Sequence, residues 1–407
     1  MVQDVSASAR LPRVAFVTGG LKLGGSTTFL CNLGGELVRR GIPAEVSSFE
    51  NENPLASDFE TLNVPVFAQD ARQSIFEDRL LVILQRLRQF QPTAVLACLS
   101  AVSFEVLRYL PEGVFRIGVV QSDDPGVYQM VRHYSTQVHL MAAVSAAIKD
   151  TLEHMQEFAS VRTEYLPYGV PMPAAVRPCG IHHTDPLRIL YLGRLEQEQK
   201  RVRLFPKILE QLRLSGFAFH WTIAGDGPEK PFLQSTMQSS RNLTVSFPGK
   251  VSYKDVPQVL REHDIFLLAS DYEGLPLSLL EAMAWGLVPV VSDLNSGISE
   301  VVDESTGKRI PLDDLSGYAK GIIWLHQNRS ELHRLSQNAQ EKVRRDFSVA
   351  AMSDRWLKTL PATTRQCNVW PERWSIKPPL VSPNAFRYSL IGKLMRRVLF
   401  RLRSRLR

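Results

Sequence analysis

Two glutamates flank a proline-containing turn in the second half of the chain, and their spacing could serve chemistry on a charged ligand. Glu273 stands just before a predicted helix and Glu281 stands inside it. An apolar run typical of a buried strand precedes them, Pro276 is predicted as the first helical residue, and Gly286 ends the helix before the strand VPVV. The unpaired amides of a helix N-terminus suit a diphosphate, here near residues 275–278. Carboxylates on its two sides could accept hydrogen bonds from hydroxyl groups.

The whole stretch from Glu273 to Val291, EGLPLSLLEAMAWGLVPVV, resembles the donor-site signature of family 4 glycosyltransferases, which have the GT-B fold. By themselves, two glutamates at this spacing also fit a helix-surface carboxylate beside a capping one. The Gly-Leu-Pro insert and the following strand favour the donor site. The resemblance implies that Glu273 acts in catalysis near the donor sugar and that Glu281 contacts the ribose. It also implies further donor-binding residues around the helix start: Gly274, Leu275, Pro276, Leu277 and Ser278.

A second cluster of candidate residues lies in LRILYLGRLEQEQKRV, where a strand leads into a turn. Gly193, Arg194 and Lys200 resemble the GRL motif of the family and the lysine that follows it. A departing nucleoside diphosphate gains negative charge, and two cations can stabilise it without a metal. Arg and Lys in a turn are also common as solvated charges. Two further donor contacts are implied by position, Gly225 in a Gly-Asp-Gly turn and Val251 in a loop near the base.

The first half of the chain begins with a predicted buried strand, RVAFVTG, and a glycine loop that enters a helix. The loop has the glycine spacing of a P-loop, but Gly25 occupies the lysine position, which argues against an NTPase. The pair Gly24 and Gly25 resembles the family loop that closes over the donor phosphates. A merely tight turn between strand and helix is the alternative.

After a later strand, the segment QSDDPGVYQMVRHY departs from the family pattern, which usually carries a histidine near the anomeric carbon of the sugar. Gln121, Asp123 and Asp124 stand there instead, and His133 lies downstream. Asp124 is the candidate for the acceptor-side catalytic group. Asp123 and Asp124 could equally cap the next helix.

Composition sets the class of the protein. The chain has 407 residues, 44% of them hydrophobic and 22% charged, which is ordinary for a soluble globular protein with two domains. The four cysteines show no paired spacing, so the sequence predicts neither a zinc site nor a disulfide framework, and no metal motif occurs in a suitable context. No signal peptide or membrane-spanning stretch is apparent. We therefore expect a cytoplasmic protein.

The alternation of strands and helices predicts an α/β protein, and the resemblance implies the GT-B arrangement of two facing Rossmann-like domains with an interdomain cleft. The expected N-terminal acceptor domain covers residues 1–172, and a linker rich in Pro and Gly covers 173–187. The C-terminal donor-binding domain covers 188–346. A closing helix at 347–360 crosses back to the N-terminal domain, and a basic tail occupies 361–407.

The positive charge of the chain is concentrated in this tail. Nine basic and no acidic residues lie from Lys377 to the C-terminus. The whole chain has a formal net charge of +7, so this segment accounts for the excess of positive charge. A helix from Phe386 would align Leu390, Leu394 and Val398 on one face with basic residues beside them. Such a helix can lie in a bilayer interface, so the sequence predicts a peripheral membrane contact. A disordered basic end and nonspecific attachment to nucleic acid are the alternatives, and we expect no nucleic-acid partner.

The resemblance implies a retaining hexosyltransferase of polysaccharide or glycolipid biosynthesis. It would move a hexose from a nucleotide sugar, UDP- or GDP-linked, to a glycan or glycolipid acceptor on the cytoplasmic face of a membrane. No cofactor is expected, because the nucleotide sugar is the substrate and the GT-B fold does not need a metal. The alternatives are a GT-B nucleotide-sugar epimerase and a non-catalytic scaffold that binds nucleotide sugars.

Overall fold

The computed structural model describes residues 11–22, 24–50, 55–68, 75–98, 100–175, 186–361 and 369–381. Within these ranges the chain forms two compact units. The first contains the chain up to Ala143, Lys149–Leu166 and the part from Ser353 onward. The second contains Val144–Ile148 and Pro167–Met352. The predicted linker is only partly covered, because residues 176–185 lie outside the described ranges.

The first unit is built on a parallel seven-stranded sheet with the order β3-β2-β1-β4-β5-β6-β7. Strands β1, β2 and β4 are buried along their whole length, as expected for a parallel sheet with helices on both faces. The strands are β1 (Val14–Thr18), β2 (Ala44–Ser48), β3 (Val66–Ala68), β4 (Ala94–Cys98), β5 (Phe115–Val120), β6 (Leu140–Ala143) and β7 (Arg162–Tyr165).

Helices connect these strands. The helices are α1 (Gly25–Arg39), α2 (Ala56–Thr61), α3 (Phe76–Phe90), α4 (Ala101–Val106), α5 (Pro125–Val131) and α6 (Ala146–His154). Short 3₁₀ helices cover Leu107–Tyr109, Arg132–Gln137 and Gln156–Phe158. The predicted N-cap of α6 is confirmed, because the Ser145 hydroxyl accepts a hydrogen bond from the Ile148 amide at 3.2 Å.

The second unit is built on a parallel six-stranded sheet with the order β10-β9-β8-β11-β12-β13. The strands are β8 (Leu187–Leu192), β9 (Phe219–Ala224), β10 (Leu243–Gly249), β11 (Ile265–Leu268), β12 (Val288–Ser292) and β13 (Lys308–Ile310). The helices are α7 (Phe205–Leu214), α8 (Lys230–Thr236), α9 (Val256–Arg261), α10 (Leu277–Ala284), α11 (Gly297–Val301), α12 (Leu315–Gln327), α13 (Arg329–Asp346) and α14 (Val349–Thr359), with 3₁₀ helices at Val202–Leu204 and Tyr253–Asp255. Both sheets have the strand alternation of a Rossmann-like fold, so the predicted α/β class is confirmed.

Helix α14 begins in the second unit, and from Ser353 onward its residues belong to the first. Trp356 is buried against Phe29 with ring centroids 6.1 Å apart, and Asp354 pairs with Arg40 at 2.5 Å. The predicted closing helix at 347–360 overlaps α14, and its role in closing the two domains stays a prediction.

A segment that follows α14, residues 369–381, also packs on the first unit. The Trp374 indole donates to the Tyr109 carbonyl at 3.2 Å, and the Leu380 amide donates to Glu105 Oε2 at 3.3 Å. The amphipathic helix predicted from Phe386 lies outside the described residues. Within the described ranges, no helix is long and apolar enough to cross a membrane.

Candidate active site

Three candidate residues of the second unit lie in loops beside the point where its sheet reverses strand order. Strands β8 and β11 are neighbours in the middle of the sheet, and the connections that leave them run to opposite sides. Ligands of open parallel sheets bind at the carboxyl ends of the strands beside such a point. Arg194 and Lys200 lie in the loop after β8, and Glu273 lies in the loop after β11. The fold therefore brings two cations and one carboxylate, far apart in sequence, to one edge.

Lys200 and Glu273 form a nearly buried ion pair. Lys200 Nζ lies 2.5 Å from Glu273 Oε1, and the two side chains are 13% and 6% exposed. The Ser270 hydroxyl donates to the same oxygen at 2.6 Å. Glu273 Oε2 is approached only by Gln199 Nε2, at 3.5 Å, among the contacts that the described residues make. One oxygen of Glu273 is thus held firmly, and the other keeps capacity to accept a hydrogen bond.

Gln199 ties the two loops together, and sequence reasoning missed it. Its side-chain nitrogen Nε2 donates to the backbone carbonyl of Tyr272 at 3.0 Å, and its backbone carbonyl accepts from the backbone amide of Asp271 at 2.8 Å. Its Oε1 accepts from Arg194 Nη2 at 2.7 Å. The only sequence signal was its position within EQEQK, between the two predicted cations. Gln199 therefore positions both Arg194 and the loop that carries Glu273.

Helix α10 offers its N-terminus at this edge. Pro276 is extended, with φ −70° and ψ 116°, so it is the N-cap and the helix begins at Leu277. The prediction that Pro276 is the first helical residue was wrong by one position, because its ψ is not helical. The amides of Leu277 and Ser278 lie in the first turn, where no helical carbonyl can accept from them. Gly286, with φ +79°, follows the helix end as predicted.

The loop before α10 is fixed by a close backbone contact. The Gly297 amide donates to the Gly274 carbonyl at 2.7 Å. A Cβ on Gly297 would lie 2.6 Å from that carbonyl oxygen and 2.8 Å from the Leu275 side chain. Gly274 and Leu275 are themselves buried. The predicted donor-binding stretch from Gly274 to Ser278 is therefore held against α11.

Glu281 is half-buried on α10, and within the described ranges its carboxylate makes no hydrogen bond or ion pair. Burial raises the pKa of Glu281 from its ordinary value of 4.5 to about 7. An unpaired carboxylate with a raised pKa, on the helix whose N-terminus lies beside the Lys200–Glu273 pair, is a functional-site signal. The predicted contact of Glu281 with a ribose stays a prediction.

Two glycine loops pack backbone to backbone beside Arg194. The Gly193 amide donates to the Ala224 carbonyl at 3.1 Å. Gly225 has φ +149°, and a Cβ on it would lie 1.8 Å from the Gly193 oxygen, so only glycine fits. Val251 is half-buried beyond β10, and nothing in the structure assigns it a ligand role. The glycines set the distance between the loops, and the donor contacts of Gly193, Gly225 and Val251 stay predictions.

In the first unit, Gly24 and Gly25 form the turn between β1 and α1. Gly24 is the N-cap with φ +155°, and its carbonyl accepts from the Thr27 and Thr28 amides at 3.1 and 3.2 Å. Gly25 is the first helical residue. A tight turn of this kind is one of the two interpretations of the sequence, and contact with donor phosphates stays a prediction.

Both aspartates of the loop after β5 make local contacts. Asp124 is the N-cap of α5 and accepts from the Gly126 amide at 2.7 Å, so the capping interpretation is confirmed. Asp123 accepts from the Tyr128 hydroxyl at 2.5 Å. Burial, followed by this contact, raises the pKa of Tyr128. A catalytic role of Asp124 stays a prediction, although its carboxylate already stabilises a helix.

The described residues contain no group of three or more His, Cys, Asp or Glu side chains placed to hold a metal ion. In the second unit, Arg194, Lys200 and the amides at the start of α10 are groups that can bind an anionic ligand.

Residues 186–328 match the family described as glycosyl transferases group 1. This segment contains every candidate residue of the second unit, from Gly193 to Glu281. It is a group 1 glycosyltransferase domain. The resemblance drawn from the sequence is thereby confirmed at the level of the GT-B glycosyltransferases.

Two named glycosyltransferases are similar to part of this chain. The amylovoran biosynthesis glycosyltransferase AmsK of Erwinia amylovora is 33% identical over 172 residues, which cover 40% of this chain and 42% of AmsK. The UDP-Gal:alpha-D-GlcNAc-diphosphoundecaprenol alpha-1,3-galactosyltransferase of Escherichia coli is 29% identical over 135 residues, which cover 33% of this chain and 35% of that enzyme. The matches thus span less than half the length of these two relatives.

Among solved structures, a mutant of S. aureus TarM in complex with Fondaparinux, alpha-GlcNAc-glycerol and UDP aligns with a TM-score of 0.71. The alignment covers 86% of this chain and 100% of that chain, at 13% sequence identity. A likeness at this identity shows the fold, and the GT-B fold class expected from the sequence is confirmed.

Proposed function

We propose that this chain is a retaining glycosyltransferase that moves a hexose from a nucleotide-diphosphate sugar to a glycan or glycolipid acceptor. The observation that carries the proposal is the buried pair of Lys200 and Glu273 at the strand-order reversal, beside the N-terminus of α10, inside a group 1 domain. Polysaccharide or glycolipid biosynthesis is the setting that the names of AmsK and of the galactosyltransferase support.

In the proposed reaction, the bond between the anomeric carbon and the acceptor oxygen forms as the bond to the diphosphate oxygen breaks. The acceptor proton passes to the leaving phosphate. Lys200 has three N–H donors, so it can keep Glu273 and also bind a phosphate oxygen. Arg194, 64% exposed, can turn to the same charge. Both cations stabilise the charge that develops on the leaving group, in place of a metal ion.

The remaining groups bind the diphosphate of the donor and the hydroxyl groups on its two sides. The amides of Leu277 and Ser278 bind the diphosphate. Glu281 accepts from the ribose hydroxyls, and the uncommitted oxygen of Glu273 accepts from a hydroxyl of the hexose. The donor is a UDP- or GDP-linked hexose, and UDP is favoured by the ligand of TarM and the name of the galactosyltransferase. No further cofactor takes part.

The first expected result is sugar transfer without added metal. The protein should transfer a hexose from one of four donors, UDP-glucose, UDP-galactose, UDP-N-acetylglucosamine or GDP-mannose, to N-acetylglucosaminyl diphosphoundecaprenol in the presence of EDTA. Chromatography of the lipid product measures the transfer. Release of the donor hexose as its epimer would instead identify an epimerase, and binding of a donor with no turnover would identify a scaffold.

We further propose that the basic tail holds the protein at the cytoplasmic face of a membrane, where a lipid-linked acceptor lies. The proposal is supported by the sequence of the tail, because interleaved Leu, Phe and Val add apolar burial to the attraction of the nine basic residues from Lys377 onward for anionic lipid. Truncation after Pro383 should abolish co-sedimentation with vesicles that contain phosphatidylglycerol, while the affinity for the donor stays unchanged. Equal co-sedimentation of the full and truncated chains would disprove the contact.

A further inference from the structure

Arg201, the residue after Lys200, has an unusual backbone conformation. Its φ of +49° and ψ of 34° lie in the left-handed region. It closes the turn that carries Lys200, because its amide donates to the Gln197 carbonyl at 3.1 Å. A turn that ends in this way usually has glycine or asparagine at that position, since a larger side chain raises the energy of the left-handed region. An arginine here therefore requires a reason other than backbone preference.

The side chain of Arg201 supplies that reason, because it joins the loop after β8 to two others. Its Nε lies 3.1 Å from Asp271 Oδ1, in the loop after β11. Its Nη2 donates to the Leu312 carbonyl at 3.2 Å, in the loop after β13. The side chain is 15% exposed, and its Nη1 is buried without a hydrogen-bond partner among the described residues. A buried unpaired donor lowers stability, so the burial of this side chain serves more than stability.

The contacts of Arg201 run beside those of Lys200. Lys200 pairs with Glu273, and Arg201 pairs with Asp271 in the same facing loop. The Asp271 amide also donates to the Gln199 carbonyl at 2.8 Å, so three consecutive residues of one loop are joined to the other. The ammonium of a lysine lies at the end of a flexible stem, and its place depends on how firmly the backbone is held. Strained residues that are held by their surroundings are concentrated at functional sites.

We propose that Arg201 is a positioning residue for Lys200. Its guanidinium fixes the backbone beside Lys200 to the loops after β11 and β13, so the ammonium stays where negative charge develops on the leaving diphosphate. Arg201 acts through Lys200 and does not itself touch the ligand. The inference rests on the proposed function, and all of these residues belong to the second unit.

Arg201→Asn tests this role, because it removes the guanidinium and keeps a residue that tolerates the left-handed conformation. The kcat for transfer should fall about tenfold, since Lys200 loses its fixed position in the transition state. The affinity for the active donor in calorimetry should change less than about threefold, because the other donor-binding groups remain. The melting temperature should change by less than about 3 °C. The loss of the ion pair is offset by an easier backbone conformation and by removal of the unpaired nitrogen.

A double-mutant cycle separates positioning from support of the fold. In a Lys200→Ala protein, Arg201→Asn should cause no further fall in kcat, because the group through which Arg201 acts is absent. Asp271→Asn removes the partner in the facing loop and should lower kcat about as much as Arg201→Asn does. The two substitutions together should lower kcat no further than either alone.

Arg203→Asn is the matched control. Arg203 lies two residues further along the chain and pairs with Glu229 at 2.7 Å, with its side chain 57% exposed. Glu229 lies after β9, so this pair does not join the loops after β11 and β13. The substitution removes the same charge from the same segment, and both kcat and donor affinity should keep their wild-type values.

A wild-type kcat in Arg201→Asn would overturn the inference. An equal fall in kcat with and without Lys200 would also overturn it and make Arg201 a support of the fold. A loss of donor affinity as large as the loss of kcat would show that Arg201 binds the donor itself, and the positioning role would be wrong. If Arg201→Asn does not fold, Asp271→Asn provides the same comparisons. In each of these cases the wild type still transfers sugar and the proposed function stands, whereas failure of the wild type with all four donors would remove both.

Discussion

Lys200→Ala is expected to lower the turnover of sugar transfer by about two to three orders of magnitude, the usual effect of removing one group that stabilises a developing negative charge. It should also lower the free energy of unfolding by about 3 kcal/mol, since Glu273 is left buried without its cation. The hydrogen bond from Ser270 to Glu273 remains and limits this loss. Transfer assays and urea unfolding measure the two effects separately.

Arg194→Ala is the matched control that separates the loss of turnover from the loss of stability. Its side chain is 64% exposed and pairs with Glu196 at the surface, so its loss should change stability by less than about 0.5 kcal/mol. Turnover should nevertheless fall by about tenfold or more, because Arg194 acts on the same leaving group.

A Lys200→Ala protein that is less stable but transfers at the wild-type rate would show that the ion pair only supports the loop.

Glu281→Gln is expected to weaken donor binding by about ten- to a hundredfold, since hydrogen bonds to a charged carboxylate are stronger than those to an amide. In the wild type, donor affinity should increase between pH 6 and 8, as the Glu281 carboxyl, whose pKa burial raises to about 7, becomes ionised. The variant should lack this slope. Calorimetry with the active donor at several pH values provides the measurement.

The stability of the wild-type protein should change with pH in the direction opposite to its donor affinity. Because the pKa of Glu281 is higher in the folded than in the unfolded chain, the folded state binds the extra proton between pH 4.5 and about 7. This group therefore lowers stability as the pH rises through that window, and the loss is complete above it. The melting temperature of Glu281→Gln should exceed that of the wild type at pH 8 and match it at pH 5. Equal melting temperatures at both pH values would show that the carboxylate has a partner, and equal donor affinity would remove the ribose contact.

The sequence was a good guide to the elements of both units. Runs such as VAFV and IFLL predicted buried parallel strands, because strands covered on both faces are apolar throughout. Glycine marked the turns, as at Gly225, where the backbone leaves no room for a Cβ. The start of α10 was misplaced by one residue, since the choice between N-cap and first helical residue depends on a single ψ angle at Pro276.

The candidate site was predicted less completely than the fold. The residue types of Arg194, Lys200, Glu273 and Glu281 and their motifs pointed to an anionic ligand with hydroxyl groups. Gln199 was missed, because glutamine in a polar turn has no distinctive pattern of its own. Asp124 was a candidate for catalysis, yet its carboxylate caps α5. The role of a side chain depends on the groups that it contacts in the folded protein, and short-range sequence patterns do not contain that information.

The sequence by itself determined which segments form strands, helices and turns, because apolar periodicity, proline and glycine act through neighbouring residues. It also determined which charged residues were available. Only the tertiary structure decided that Lys200 pairs with Glu273, since the parallel register of β8 and β11 places the ends of two distant strands side by side. Only the tertiary structure decided that Asp123 and Asp124 are engaged while Gln121 is buried without a partner in the described part of the chain. Burial and pairing arise from contacts between segments far apart in the chain, and those contacts exist only once the sheets have formed.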